Sequence, residues 1–195
     1  MIEDSSNGVA GSASTEALRD EWTLVQWWEA AESFASYLGR VEKNRELWHG
    51  VDARVRLPDD LPAAQELLPC AHFLVLSEDW CGDAVNTLPV AARVAEHYDI
   101  GLRVLERDAN LELMDRYLTG GRSRSIPVVV AMDCDFKELG WWGPRPTELQ
   151  AWVLGEGMEM ESADRYKEIR RWYARDKGRT TASELLAFLR EGGPE

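Results

Sequence analysis

The sequence has few cysteines, no long apolar run and a shortage of positive charge, and each of these excludes a class of protein. Three cysteines in 195 residues are too few, and odd in number, for the disulfide framework of a small secreted domain. No apolar run approaches the roughly 20 residues that a membrane-spanning helix needs. The net charge is −13, and such a surface repels nucleic-acid phosphates and anionic membranes. We therefore expect neither nucleic acid nor a membrane as a partner.

The chain also lacks the usual signals for secretion and for cofactors. Residues 1–16 have no apolar segment of the kind found in a secretory signal, so we expect a disordered tail and a cytoplasmic protein. The three histidines, His49, His72 and His97, do not have the spacing of a Cys/His metal site. No glycine-rich phosphate loop is present. We expect no metal and no cofactor.

What the sequence does contain is enough apolar residues for one good-sized core. Hydrophobic residues make up 45% of the chain and charged residues 29%, as in an ordinary globular protein. Helical spacing over 22–46 predicts one amphipathic helix, whose tryptophans we expect in the core. Three prolines in 49–70 indicate a connector with at most one short helix. We therefore predict an N-terminal helical extension and connector over 17–70.

Residues 71–155 alternate between strand and helix patterns, in the order β-α-β-α-β-β-α. Apolar runs predict strands at 73–77, 101–107, 128–132 and 136–142. Helical stripes begin at Val85, cover 111–118 and return at 147–154. This order predicts an α/β core with a mixed central sheet flanked by helices. Residues 156–195 are predicted to pack on that core as two helices, one over 162–176 and one opened by a capping box at 181–184.

The segment between the first strand and the first helix of this core carries the chemistry. It reads Glu78-Asp79-Trp80-Cys81-Gly82-Asp83. A first helical turn has unpaired backbone N–H groups and the positive end of the helix dipole, and both favour a thiolate. Cys81 is therefore the candidate nucleophile. The residue three positions later is Ala84 and not a second cysteine.

This order of elements and motifs resembles the thioredoxin family, specifically a thioredoxin-like branch with a single-cysteine Trp-Cys-Gly-Asp-Ala site. The matching motifs are Trp80-Cys81-Gly82, Ser125-Ile126-Pro127, the Trp142-Gly143-Pro144-Arg145-Pro146 segment and the 172–181 tail. The resemblance implies a thioredoxin-like fold and a cis bond between Ile126 and Pro127 lying against the thiol. It also implies that the Ile126 backbone faces a bound peptide. The alternative is an ordinary trans proline that opens an edge strand.

Hairpin geometry adds a second wall to the expected groove. If Pro127 lies beside Cys81, the strand that starts there runs away from the site and its partner returns to it. Trp142 and Gly143 should then lie at the rim; alternation sends one of Trp141 and Trp142 into the core, and we favour Trp142 at the site. The predicted substrate-binding residues are Trp80, Gly82, Asp83, Arg124, Ile126, Pro127 and Trp142.

Three carboxylates close to Cys81 oppose its ionisation. Each costs the thiolate about 1 kcal/mol at about 4 Å in water, whereas a helix terminus contributes about 0.3–1 kcal/mol in its favour. Arg122, Arg124 or Arg145 would have to neutralise them, and the pair we favour is Asp83 with Arg124. Val75 stands where thioredoxins usually carry a buried carboxylate, so no general base is visible.

The other two cysteines are too far from Cys81 to resolve a mixed disulfide. Cys70 precedes the first strand and Cys134 follows the third, so both lie at the opposite edge of the sheet, about 20 Å away at about 3.3 Å per residue. We expect two buried, reduced thiols there. A cross-strand disulfide between them is the alternative.

Two functions fit these observations. In the first, Cys81 is a single-thiol oxidoreductase that attacks a protein or low-molecular-weight disulfide and is regenerated by an external thiol. A neutral or cationic thiol or a protein suits the acidic groove better than glutathione. In the second, the groove binds a peptide without redox turnover, because one fold hosts many functions. An iron–sulfur role ranks below both, since it needs a glutathione ligand and usually a basic groove. The sequence leaves the oligomeric state open.

Overall fold

The computed structural model describes residue 19 and residues 21–190, and its centre is a five-stranded mixed sheet with helices on both sides. The strands are β1 (Glu32–Ser33), β2 (His72–Ser77), β3 (Gly101–Glu106), β4 (Val128–Met132) and β5 (Glu138–Trp142). Their order across the sheet is β1-β3-β2-β4-β5. β2 and β3 are parallel, and the other pairs are antiparallel. The four strands predicted for the core are all present.

Eight α-helices whose two ends are both described, and two 3₁₀ turns, surround the sheet. The helices are α1 (Leu24–Ala30), α2 (Phe34–Arg40), α3 (Arg45–Asp52), α4 (Gly82–Tyr98), α5 (Leu111–Met114), α6 (Thr147–Leu154), α7 (Ser162–Asp176) and α8 (Arg179–Ala187). The 3₁₀ turns are Ala64–Glu66 and Glu156–Glu159. Both α3 and α8 pack against α4.

The prediction of one helix over 22–46 is wrong. Ala31 is extended and ends α1, after which β1 pairs with β3. The Ser33 hydroxyl then accepts a hydrogen bond from the Ser36 N–H at 3.2 Å and caps α2. Helix α3 extends beyond the predicted end, to Asp52. The edge strand of the sheet therefore comes from the segment interpreted as an N-terminal extension.

The helices of the N-terminal part nevertheless each bury one large aromatic side chain. Trp27, Tyr37 and Trp48 are almost fully inaccessible and lie on α1, α2 and α3. They join the same core as β2 and β4, whose residues from Phe73 to Ser77 and from Val128 to Met132 are all buried. The expectation that tryptophans of the 22–46 segment pack in the core is confirmed for Trp27, whereas Trp22 and Trp28 are partly buried against it. A smaller apolar cluster joins α6 to α7 through Leu149, Val153, Ile169 and Tyr173.

Two further helix predictions need correction. The predicted helix at 111–118 is a single turn, α5, followed by hydrogen-bonded turns. The predicted capping box at 181–184 is not a helix start, because α8 already begins at Arg179. The Asp176 carboxylate accepts from the Thr180 N–H at 3.1 Å and so satisfies a free donor in the first turn of α8.

The predicted tail at 1–16 and residues 191–195 lie outside the described residues. Among the residues described, no helix combines the length and the apolar character that crossing a bilayer requires.

Gly178, between α7 and α8, gives a direct test of this packing. Its φ is +83° and an added Cβ would lie 2.5 Å from Val90 Cγ2 on α4. We expect Gly178→Ala to lower the free energy of unfolding by about 1–3 kcal/mol, because α8 must shift away from α4. Urea denaturation of the full chain measures the change.

The matched control is Gly39→Ala in α2, where an added Cβ meets nothing within 4 Å. Alanine is the better helix former by about 0.8–1 kcal/mol, so this variant should be as stable as the parent protein or more so. Equal destabilisation by the two substitutions would contradict the packing described for Gly178.

Candidate functional site

Cys81 lies at the junction between β2 and α4. It is the N-cap residue of α4, with extended backbone angles, and Gly82 is the exposed first residue of the helix. The thiol is 7% exposed and donates to the carbonyl oxygen of Ile126, with 3.4 Å between sulfur and oxygen. Hydrogen bonds from the backbone N–H groups of Ala84 and Asp83 lower the pKa of Cys81. Position and donors are those predicted from the sequence.

Two X–Pro segments form a wall at the thiol end of the sheet, and the first of them contacts the thiol. The peptide bond between Ile126 and Pro127 is cis, and so is the bond between Gly143 and Pro144. Gly143 has φ +135°, and a Cβ on it would lie 2.1 Å from the carbonyl oxygen of Pro127. Only glycine permits this approach. The end of β5 therefore returns to the thiol end of the sheet, as the hairpin argument required.

The carboxylates of Glu78 and Asp79 hold the loop in place. Glu78 is buried, and its Oε1 accepts from the Asp108 N–H at 2.7 Å. Asp79 Oδ2 accepts from the N–H groups of Glu42 and Lys43 at 3.0 and 2.8 Å. These two acids, which the sequence suggested would oppose a thiolate, instead fasten the thiol loop to the segments that follow β3 and α2.

The third carboxylate, Asp83, belongs to a buried triad. Asp83 Oδ2 is 2.6 Å from Arg145 Nη2, and both side chains are largely buried. The hydroxyl of Tyr173 on α7 donates to Asp83 Oδ1 at 2.9 Å. The predicted pairing of Asp83 with Arg124 is wrong. Arg124 reaches back to Asp115, with Nε–Oδ1 and Nη2–Oδ2 distances of 2.6 and 2.7 Å.

Two tryptophans at the site differ in exposure. Trp80 is 49% exposed, and the guanidinium of Arg107 lies over its ring, 5.4 Å from the centroid. Trp142 is only 5% exposed, and its Nε1–H donates to Glu184 Oε2 on α8 at 2.6 Å. Trp141, on the other face of β5, packs beside Tyr117. Trp80 therefore offers an open aromatic surface, whereas Trp142 packs beneath α8.

Comparison with known proteins identifies the family to which this chain belongs. The model of the thioredoxin family matches residues 31–174, a span that begins just before β1 and includes Cys81, Pro127 and Arg145. The chain belongs to the thioredoxin family. The match also includes Tyr173, so the third member of the triad lies within the thioredoxin span.

Two solved structures share this thioredoxin-like fold. One is a protein of unknown function from Pseudomonas aeruginosa, at 20% identity and TM-score 0.67, with 86% of this chain and 96% of that chain covered. The other is an HIV epitope scaffold, at 18% identity and TM-score 0.65, with 86% and 97% covered. At these identities the likeness shows the fold alone. The search of curated proteins found no match.

The electrostatics of this thioredoxin site keep the thiol protonated. Burial raises the pKa of Cys81, and the charge of Asp83 raises it further, while Arg145 and the helix N–H groups lower it. Burial also raises the pKa of Asp83, against the opposing effect of Arg145. The pKa of Cys81 is thus above its ordinary value, and the neutral thiol predominates at neutral pH.

The contacts of Tyr173 and Glu184 were not predicted from the sequence. Their partners lie far away along the chain, and side-chain spacing carries no signal for such pairs. The Glu184 carboxylate, interpreted as part of a capping box, binds Trp142 and the Thr147 N–H. Within the described residues no group of three or more His, Cys, Asp or Glu side chains could hold a metal ion.

Opposite substitutions in the triad should move the pKa of Cys81 in opposite directions. Asp83→Asn removes a negative charge beside the thiol and should lower this pKa, whereas Arg145→Gln removes a positive charge and should raise it. The measurement is the pH dependence of iodoacetamide alkylation in a Cys70→Ser/Cys134→Ser chain, where Cys81 is the only thiol.

The control is Arg124→Gln in the same chain. Because Arg124 pairs with Asp115, its loss should leave the pKa of Cys81 unchanged. A shift for Arg124→Gln as large as that for Arg145→Gln, or shifts of the same sign for both triad variants, would contradict the assignment.

Proposed function

We propose that this thioredoxin-family chain is a single-thiol thiol–disulfide oxidoreductase in which Cys81 is the nucleophile. The observation that carries the proposal is the position of Cys81 Sγ at the start of α4, 3.4 Å from the Ile126 carbonyl oxygen and beside Pro127. An extended peptide lying along this wall presents its sulfur to Cys81. Trp80, Gly82 and the Ile126–Pro127 segment then form the contact surface.

The chemistry needs one thiolate in the protein and one outside it. The Cys81 thiolate attacks one sulfur of a mixed disulfide, the S–S bond breaks, and the other sulfur leaves as a thiolate that takes up a proton. The half that is retained forms a mixed disulfide with Cys81. An external thiolate then attacks that mixed disulfide, releases the Cys81 thiolate and carries the retained half away as a new disulfide.

No residue of this chain can do the second step. Ala84 occupies the position of the missing thiol and is fully buried. Cys70 and Cys134 both lie at the end of β2 and β4 that is remote from Cys81, about 20 Å from its sulfur. Regeneration therefore falls to an external thiol, which we propose is a small molecule or a partner protein.

The local charge affects which thiol can serve. Glu78 and Asp79 are bound by backbone N–H groups and Asp83 by Arg145, so the acidic repulsion expected from the sequence is weaker in the structure. Arg107 lies over Trp80 at the rim. These contacts favour a neutral thiol and weaken the sequence-based argument against an anionic one such as glutathione.

A redox-inactive peptide-binding module is the second candidate function. It is favoured by the small exposed fraction of the Cys81 side chain and by its raised pKa, both of which slow attack on a disulfide. In that case Trp80 and Pro127 contact a bound peptide while the thiol remains unreacted.

Reduction of a mixed disulfide distinguishes the two functions. With a peptide–glutathione or peptide–cysteamine mixed disulfide and excess external thiol, we expect turnover by a Cys70→Ser/Cys134→Ser chain and none after the further change Cys81→Ser. Because the pKa of Cys81 is raised, the rate should increase about tenfold per pH unit while the pH is below that pKa. Peptide binding without turnover at any pH would favour the module.

Restoring the missing thiol tests the role of position 84. Ala84 lies in the first turn of α4, and its N–H faces the Cys81 sulfur. We expect Ala84→Cys to let the protein reduce the disulfides of insulin with dithiothreitol as the reductant, where the parent protein shows little turnover. The extra sulfur in a filled site should cost about 1–3 kcal/mol of stability.

The proposal predicts that the gain requires Cys81. Ala84→Cys combined with Cys81→Ser should have no insulin activity, and Ala84→Ser is the size-matched control. If the Ala84→Cys protein folds and joins Cys81 to the introduced thiol in a disulfide, yet reduces insulin no faster than the parent protein, the missing thiol is not what limits this site.

A further inference from the structure

We propose that Cys70 and Cys134 form a second thiol–disulfide site at the end of the sheet opposite Cys81. Small neutral or cationic disulfides oxidise this site, and the two cysteines then form a disulfide with each other. The inference is independent of the function proposed for Cys81. It rests on strand register, on exposure and on the charges around the pair.

The register of the sheet places the two residues at the same end of neighbouring strands. β2 and β4 are antiparallel, and their last pair at this end is His72 with Met132. Cys70 lies in a bend two residues before His72, and Cys134 lies in the turn two residues after Met132. Both cysteines therefore lie just beyond the same end of this strand pair. A disulfide between them needs Cα atoms about 4.4–6.8 Å apart.

Side-chain contacts agree with this placement. Both cysteines are free thiols, and the Cys134 thiol donates to the carbonyl oxygen of Cys70 at 3.5 Å. A hydrogen bond with Cys134 is also the largest of the effects that raise the pKa of Cys70, to about 11. The Cys134 thiol therefore lies against the backbone of Cys70 in the reduced protein.

The two thiols differ in exposure, and this difference indicates which of them reacts first with a disulfide. The prediction that both would be buried is wrong, because Cys134 is exposed and Cys70 is partly exposed. Cys134, in the turn between β4 and β5, is open to a small disulfide from solvent. Cys70, held behind it with a raised pKa, is the poorer first nucleophile and is placed to resolve the adduct on Cys134.

The reaction balances without any further oxidant. The Cys134 sulfur loses its proton to solvent and attacks the small disulfide, which releases one small thiolate and leaves a mixed disulfide on Cys134. Cys70 then loses its proton and attacks the Cys134 sulfur, which releases the second small thiolate. Two protein S–H bonds become one S–S bond, and the small disulfide becomes two thiols.

The negative charge beside Cys134 determines which small disulfides react at this site. Asp133 and Asp135 flank Cys134 in sequence, and the charges of both raise the pKa of Cys70. A cationic disulfide such as cystamine is attracted to this edge, whereas oxidised glutathione carries carboxylates and is repelled. This preference should weaken as salt screens the exposed charges.

The test uses the full-length Cys81→Ser protein, in which Cys70 and Cys134 are the remaining thiols. It is incubated under native conditions with cystamine or with oxidised glutathione, then alkylated and weighed intact by mass spectrometry. We expect loss of both free thiols, a mass lower by two hydrogen atoms, no retained adduct and no covalent dimer. Cystamine should react several-fold faster than oxidised glutathione, by a ratio that falls with added salt.

The matched control is Cys81→Ser/Cys70→Ser, which should keep one cysteamine adduct on Cys134 because no thiol resolves it. In a thiol–disulfide buffer, the ratio of protein disulfide to dithiol should be at least about tenfold higher for the folded protein than in urea, a difference of about 30 mV in reduction potential. Persistent adducts on the two-thiol protein, dimers, or equal ratios in buffer and urea would overturn the site. A faster reaction with oxidised glutathione than with cystamine would overturn the proposed substrate class.

Discussion

The buried ion pair between Asp83 and Arg145, completed by the Tyr173 hydroxyl, is the interaction on which the thiol site depends. It joins the first turn of α4, the segment after β5 and helix α7 at one point beside Cys81. Removing one partner of such a pair leaves a charge in a dry environment, at a typical cost of about 3–5 kcal/mol. Helix α7 is therefore part of the site and not an appendage to it. It fixes the carboxylate whose charge the thiol feels most directly.

That interaction also explains how an acidic protein accommodates a buried thiol among three carboxylates. Each of the three acids around Cys81 has an assigned partner: a backbone N–H for Glu78, two for Asp79, and a guanidinium and a phenol for Asp83. None of them is left as an unpaired charge facing the sulfur. What remains is mainly the cost of burial, which raises the pKa of Cys81. The thiol is consequently stored in its neutral form.

The sequence predicted what depends on local pattern and missed what depends on distant contacts. Apolar runs indicated the four core strands, and the Trp80-Cys81-Gly82 and Ile126-Pro127 motifs located the thiol and the wall that it faces. The 22–46 segment was misjudged because helical spacing continues through Glu32 and Ser33, while the hydrogen bonds offered by β3 convert those two residues into an edge strand. The Asp83–Arg124 pairing failed for a similar reason: Asp115, nine residues away, already holds Arg124.

Asp79 has a consequence that reaches beyond its own loop. Its carboxylate accepts the N–H groups of Glu42 and Lys43, and its carbonyl oxygen accepts from Trp48 Nε1–H at 2.9 Å. These bonds mechanically couple the backbone two residues before the thiol to the junction between α2 and α3. A displacement of that junction therefore also moves the loop that carries Cys81.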